Sequence, residues 1–309
     1  MMCNEEKVTI IICTYNRASI IMECLESLRA QSAPAESFSV LVIDNNSTDD
    51  TQQVIASYAG RLPELRVVFE PNQGLSHARN RGLAEARTEW VAFLDDDAKA
   101  RPGWVDAILD TIAKDDFDAF GGPFYAWHRF GPPPRWLPED FGTHLGPGRY
   151  GREEGALPGG NCAFRKSLVQ SLGGFSTEIG MRGNKCAYGE ETLLFNIMRA
   201  QGRRLGFAPA MAIDHCVLPY KYTLRWQLGS AFAEGRDAPL AFDFPATLRT
   251  LAREGWHLSK SLFKLLYVLL NSLRQGHAWQ RALLECLQPV LFKCGSTATM
   301  IRLLAARKR

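Results

Sequence analysis

Four short apolar runs fall within the first hundred positions: residues 8–13 (VTIIIC), 40–43 (VLVI), 65–69 (LRVVF) and 90–94 (WVAFL). Runs without polar alternation suit strands covered on both faces. Helical periodicities separate them. One has apolar residues at Ile20, Ile21, Cys24, Leu25 and Leu28, with Asn16 or Ser19 as its cap; a second runs to about Tyr58; a third spans 76–87 with Ser76 as N-cap. Strand and helix alternating at this spacing predict βαβ units and a parallel sheet. Ligands of such sheets bind at the carboxyl ends of the strands. Each run stops at a polar cluster there: T-Y-N-R, then D-N-N-S-T-D-D, then N-Q-G-L-S-H-A-R-N-R-G, then D-D-D.

Beyond residue 117 breakers accumulate, and 121–158 reads as mainly loop. Order returns around Ala163, in a helix over 190–201, a strand over 210–213 and a helix over 222–234. Residues 245–309 carry no strand pattern and read as all-helical. A chain of 309 residues holds one large domain or two modest ones. Its 46% hydrophobic and 22% charged content excludes disordered, collagen-like and coiled-coil classes. The eight cysteines form no C-x-x-C pair, which removes zinc-ribbon spacing and points to reduced thiols in the cytoplasm. The polar opening at 1–7 has no signal-peptide pattern, and no uncharged apolar stretch reaches the ~18 residues of a membrane span.

The carboxylates carry the chemistry. Asp95, Asp96 and Asp97 follow a hydrophobic strand directly. Three such groups repel one another and raise one another's pKa unless a cation sits among them. Oxygen ligands suit Mg²⁺ or Mn²⁺, with a nucleoside diphosphate as natural co-ligand. The bland reading is a solvated acidic turn; the place after a buried strand favours metal. Asp44, directly after VLVI, is positioned to accept from a base or ribose, whereas Asn46, Ser47 and Asp49 read as Asx-turn and capping residues. Gly74, Ser76, Arg79 and Arg81 build a basic helix start that favours anions, a weak signal taken alone. Glu190 and Glu191 open a helix. Complementing its dipole explains two acids there, and a general base does so too.

Taken in order, T-Y-N-R, D-N-N-S-T-D, N-x-G-x-x-x-A-R-N, F-L-D-D-D, G-G-N, G-G-F and G-E-E resemble the inverting glycosyltransferase family 2 over about residues 7–237. The resemblance implies the GT-A fold: a Rossmann-like, mostly parallel central sheet flanked by helices, here with a C-terminal helical extension. It implies a catalytic domain over 1–240, with a nucleotide-binding half at 1–100 and an acceptor-binding half at 101–240, and a basic helical region at 241–309. It also implies that Asp95 and Asp97 hold Mn²⁺ or Mg²⁺ on the donor diphosphate, with Asp96 touching ribose or sugar. Thr14, Tyr15, Arg17 and Asp44 would hold the base, which the resemblance implies is uridine, with Asn46 carried as a further donor contact. Arg79 matches a residue near the base and phosphates, and Gly160 and Asn161, after Gly159, line the donor sugar and acceptor. The family's G-E-D supplies the catalytic base from its last position, here Glu191, with Glu190 as the alternative. His215 falls near the metal or leaving phosphate in some members; a satisfied core histidine is the equal alternative. The implied reaction moves a hexose from a nucleotide sugar to a glycan or lipid-linked acceptor in polysaccharide biosynthesis. Trp127, His128, Trp136 and Tyr150 offer faces for that acceptor, or simply anchor a long loop. Tyr222-x-x-Arg225-Trp226 departs from the Q-x-x-R-W of processive polymerases in its first residue.

Two other classes fit less well. A sugar-nucleotide pyrophosphorylase needs a Gly-rich basic loop after the first strand, where C-T-Y-N-R stands. A non-catalytic nucleotide-sugar-binding protein has no need of Asp95, Asp97 and Glu191 together. Charge is unevenly spread. Residues 258–309 hold nine Lys/Arg against Glu285 alone, +8 in a chain of net +3, which leaves −5 for the remainder. No nucleic-acid motif accompanies these cations. They suit an anionic membrane surface at the cytoplasmic inner face, with a homodimer through the C-terminal helices as the other reading.

Overall fold

The protein is described here by a computed structural model covering residues 7–146, 157–183, 185–242, 244, 246–276 and 278–306. The chain forms two compact units. One holds residues up to 127 together with 142–178 and 190–216; the other holds 128–141, 179–189 and 217–309.

The first unit is built on β1 (Val8–Thr14), β2 (Phe38–Asp44), β3 (Arg66–Phe69) and β4 (Trp90–Leu94), joined by α1 (Ile21–Arg29), α2 (Thr51–Ala56) and α3 (Leu75–Glu85). β1 pairs in parallel with β2 and with β4, and β2 with β3. All residues of β2 and β4 are buried, as unbroken apolar runs require. Side chains alternate across the sheet. Ile10, Ile12, Val40 and Val42 enter one core with α1 and α4 (Trp104–Lys114); Ile11, Leu41, Ile43 and Phe93 enter the other with α3 and α6 (Glu190–Ala200). Burying each such side chain contributes roughly 1.5–3 kcal/mol.

Three strands complete this sheet: β6 (Ala119–Gly121), β8 (Asn161–Arg165), which leads into α5 (Lys166–Ser171), and β9 (Leu205–Phe207). The order is β3-β2-β1-β4-β8-β6-β9, with β8 antiparallel to both β4 and β6. A second sheet runs β5-β10-β7, from Ala98–Ala100, Ile213–Cys216 and Phe124–Trp127.

Several local expectations shift. β6 and β7 border or enter the stretch read as loop, because pairing with distant strands satisfies segments too short to show a period. The strand expected at 210–213 lies at 213–216, so His215 is inside it rather than after it. α3 starts at Leu75 with Gly74, at φ 148°, in the N-cap position and no side-chain cap; Ser76 is buried within the first turn. α1 likewise has Ile20 in its N-cap position, and Asn16 instead forms a left-handed turn at φ 52°.

The second unit is mainly helical: α7 (Leu224–Ala241), α8 (Leu248–Arg274) and α9 (Trp279–Ala306). Thr223 caps α7, its Oγ1 accepting from the Trp226 N–H at 3.2 Å. α7 and α9 cross in backbone contact. A Cβ on Gly235 would lie 1.9 Å from the Phe292 carbonyl oxygen, and one on Gly295 would lie 2.3 Å from that of Phe232. Buried Glu254 joins α8 to α9, accepting from Lys293 Nζ at 3.0 Å and Ser296 Oγ at 3.1 Å. No helix among the described residues is long and apolar enough to cross a membrane.

Candidate active site

The polar clusters meet at the carboxyl ends of β1, β2 and β4. The turn after β1 is laced to the turn after β2: the Asn16 N–H donates to Ser47 Oγ, the Thr48 N–H to Asn16 Oδ1, and the Ala18 N–H to Asp49 Oδ2. Ser47 and Asp49 thus serve as turn-builders. Asn46 is exposed in a left-handed conformation, φ 66°. Asp44 is buried and accepts from the Ser47 N–H and the Gln52 amide. It lines an open hollow of about 480 Å³ with Gln52, Gln53, Ala56, Val67 and Phe69. Tyr15 is half-buried.

Asn45 and Gln52 were not singled out in the sequence. Asn45 binds the loop before α3: its Nδ2 donates to the Glu70 and Asn72 carbonyls, and its Oδ1 accepts from the Gly74 N–H. The only trace of this was an Asn following Asp44, which reads as a turn. Gln52 gave no signal.

Asp95, Asp96 and Asp97 point in different directions. Asp96 turns inward to Arg17, whose Nε donates to it at 3.3 Å. Burial, with repulsion from Asp97 and Asp95, pushes its pKa up to about 7 against the pull of Arg17; the buried Thr14 hydroxyl also faces it. Asp95 and Asp97 converge instead with His215. Its Nε2 lies 3.3 Å from Asp97 Oδ1 and 3.8 Å from Asp95 Oδ2, and one ligand atom from each of the three falls within 4.8 Å of the others. Strand pairing creates this group: His215 sits opposite Ala98, and the Cys216 N–H donates to the Asp97 carbonyl at 2.8 Å. Two carboxylates and an imidazole held this close form a donor set that fits Mn²⁺ or Mg²⁺.

Arg79 is buried among other partners. Its Nη1 lies 3.0 Å from Glu190 Oε1 and 3.9 Å from Glu191 Oε2, and its guanidinium lies over Phe175 and Phe93. These acids hold its pKa above the ordinary value, against the effect of burial. One cation thus faces two acids. Burial and the Glu191 charge push Glu190 up to about 8, against the pull of Arg79. The Glu190 side chain is 4% exposed and that of Glu191 25%, so Glu191 is the more accessible of the two.

The turn at 159–160 joins the two clusters. A Cβ on Gly160 would lie 1.8 Å from Asp95 Oδ2, and one on Gly159 would lie 3.0 Å from Glu191 Cγ and from Arg79 Nη2. The Asp95 N–H also donates to the Gly160 carbonyl. Asp95 and Glu191 therefore rest against consecutive residues, whose Cα atoms stand about 3.8 Å apart. Asn161 is fully buried and spent on the fold: Oδ1 accepts from Trp104 Nε1, and Nδ2 donates to the Pro123 and Met211 carbonyls.

The aromatic residues read as an acceptor surface are separately engaged. Trp127, on β7, carries Lys99 Nζ 3.8 Å above its ring. In the second unit His128 Nδ1 is 2.7 Å from the Tyr222 hydroxyl, and Trp136 is half-buried. Tyr150 lies outside the described residues. So does Cys3; the other seven cysteines are free thiols.

The family model for glycosyl transferase family 2 matches residues 9–173. A relative from Haloferax volcanii, glucosyl-dolichyl phosphate glucuronosyltransferase, is 27% identical over 242 residues, 74% of this chain and 75% of that protein. The match to the Escherichia coli uncharacterized glycosyltransferase YibD, 33% identical over 118 residues, covers 38% of this chain and only 34% of that protein. Among solved structures, the Pyrobaculum calidifontis mannosyltransferase PcManGT, in complex with GDP-Man and Mn²⁺, aligns with a TM-score of 0.57 at 22% identity, covering 98% of this chain and 75% of its own. At these identities the structural likeness establishes the fold, which is GT-A.

Proposed function

This chain belongs to glycosyl transferase family 2 and is a sugar-transferring enzyme; we propose that it moves a hexose, with inversion, from a nucleoside diphosphate sugar to a hydroxyl of a glycan or lipid-linked acceptor. One observation carries the reading: the Gly159–Gly160 turn sets a ligand of the Asp-Asp-His group and an open carboxylate on adjacent residues. A nucleotide leaving group and an acceptor hydroxyl need opposite chemistry a few ångströms apart, and this arrangement supplies both.

Asp95, Asp97 and His215 would hold Mn²⁺ or Mg²⁺, which when bound supplies positive charge against the donor diphosphate. Asp44, beside the hollow lined by Gln52 and Phe69, is placed to accept from the base, and uridine is our reading of that base. Arg17 reaches across to Asp96 and holds it at the edge of the diphosphate site. Glu191 takes the acceptor proton as the acceptor oxygen bonds the anomeric carbon. The bond from that carbon to the phosphate oxygen breaks on the far side, and the nucleoside diphosphate departs. Arg79, with Glu190, holds Glu191 in place. A lipid-linked acceptor is supported by the name of the Haloferax relative and by the basic helical stretch of this chain.

A panel of UDP-, GDP- and dTDP-sugars with Mn²⁺, scored for nucleotide release and for the anomeric configuration of the product, tests the proposal. Release with one donor class, abolished by EDTA, is expected. Metal-independent release, or a product that retains configuration, would overturn it.

A further inference from the structure

We infer that the exposed face of α8 docks on an anionic lipid bilayer. Trp256, Phe263, Tyr267 and Leu270 are 61, 90, 71 and 57% exposed. At about 100° per residue they fall within roughly 60° of helix circumference, so they form one stripe. Single exposed apolar residues are ordinary, but a continuous stripe with three aromatic rings marks an interaction surface.

Cations border the stripe. Arg249, Arg253, Lys260, Lys264 and Arg274 are all exposed, and none makes an ion pair among the described residues. Lys260 Nζ lies 5.0 Å above the Trp256 ring. The one acid of α8, Glu254, is turned away into the contact with α9, where Lys293 and Ser296 satisfy it. The outer face therefore combines aromatic and aliphatic side chains with five cations and no carboxylate. That composition suits a helix lying in the headgroup layer, rings at the acyl boundary and cations on lipid phosphates.

A second copy of this chain fits the face poorly. A two-fold contact would set one cationic border against the other, with no acid to receive either. Spanning is excluded for α8 by its hydropathy, since no 18-residue window among its described residues is apolar enough to cross a membrane. The inference rests on α8 alone and is independent of the transfer reaction.

The test uses the full chain, without substrate, and vesicles of phosphatidylcholine alone or with 30% phosphatidylglycerol, read by co-sedimentation. Binding to the anionic vesicles, weakened by salt, is expected, with little binding to the neutral ones. Each cation near such a surface is worth about five-fold in affinity, so loss of two costs about 25-fold and reversal of their sign costs more; Lys260→Glu with Lys264→Glu should therefore weaken binding by at least about 25-fold. Phe263→Ser with Tyr267→Ser should weaken it about ten-fold or more. All four positions are exposed, and an unchanged melting temperature confirms that the variants fold. Three results overturn the inference: equal binding to both vesicle types or none to either; binding unaffected by both double variants; or a dimer in sedimentation velocity that the same variants dissociate.

Discussion

Glu190 and Glu191 are chain neighbours in unlike surroundings, one sealed beside Arg79 and the other opening toward the turn at Gly159. Glu191→Gln keeps size and shape but cannot take a proton. Turnover should fall by about 10² or more while donor affinity in isothermal titration holds. If Glu190→Gln does this damage and Glu191→Gln does not, the proposed base is the wrong residue. Glu190 has its own signature. Folded, it holds its proton up to about pH 8; in the unfolded chain it releases it near the ordinary 4.5. The folded state binds the extra proton, so this group's contribution to stability declines as pH rises from about 4.5 to 8. Glu190→Gln removes that titration. Its melting temperature should rise relative to the parent between pH 5 and 8, and a pH-independent difference would refute the assignment.

Elements meet in this protein through residues that lack a side chain. At the 159–160 turn, a methyl on Gly160 would overlap the Asp95 carboxylate. The Asp95 side chain is over a third exposed, so the added methyl can push its carboxylate toward solvent, and Gly160→Ala should fold and lose metal affinity by about 10- to 100-fold, as displaced ligand shells do. Calorimetric titration with Mn²⁺ measures this, and unaltered affinity would mean that Asp95 is no ligand. At the α7–α9 crossing the obstacle is backbone, which cannot swing. Gly235→Ala drives a methyl into the Phe292 carbonyl, and overpacking of this kind typically costs 1–3 kcal/mol. Thermal denaturation should show the helical unit melting several degrees lower.

At the scale of the whole molecule, metal and folding are linked. The Asp95–Asp97–His215 group assembles only when β5 and β10 are paired, so on the proposed reading Mn²⁺ should bind the folded chain alone and raise its melting temperature. At a hundred times its dissociation constant a ligand of this kind adds about 2.7 kcal/mol. Asp97→Ala should abolish the rise and the transfer activity, and leave the melting temperature in EDTA within a few degrees of the parent. A parent protein whose melting temperature ignores Mn²⁺ would argue against the site.

The chain order alone determined β1 to β4 and the helices between them, because period and turn chemistry act between residues a few positions apart. It also determined that Asp44 and Asp95–Asp97 close buried strands, since each carboxylate directly follows its apolar run. Only the tertiary structure decided the rest. β7 and β10 are four residues each, too short to show a period, and exist because they pair with each other. Pairing of β10 with β5 then brings His215 to Asp97 across more than a hundred residues of chain and turns an even choice between core histidine and ligand into a three-residue cluster. Arg79, read as a phosphate contact, is enclosed by Glu190 and Glu191, and Asn161 is consumed by Trp104 and two carbonyls. Coulombic attraction and steric contact depend on distance through space, and no local pattern carries that distance. The basic tail shows the same division: the count of cations was plain in the sequence, but that Lys260, Lys264 and Arg274 stand exposed on α8 while Glu254 is turned into the contact with α9 came from helix packing.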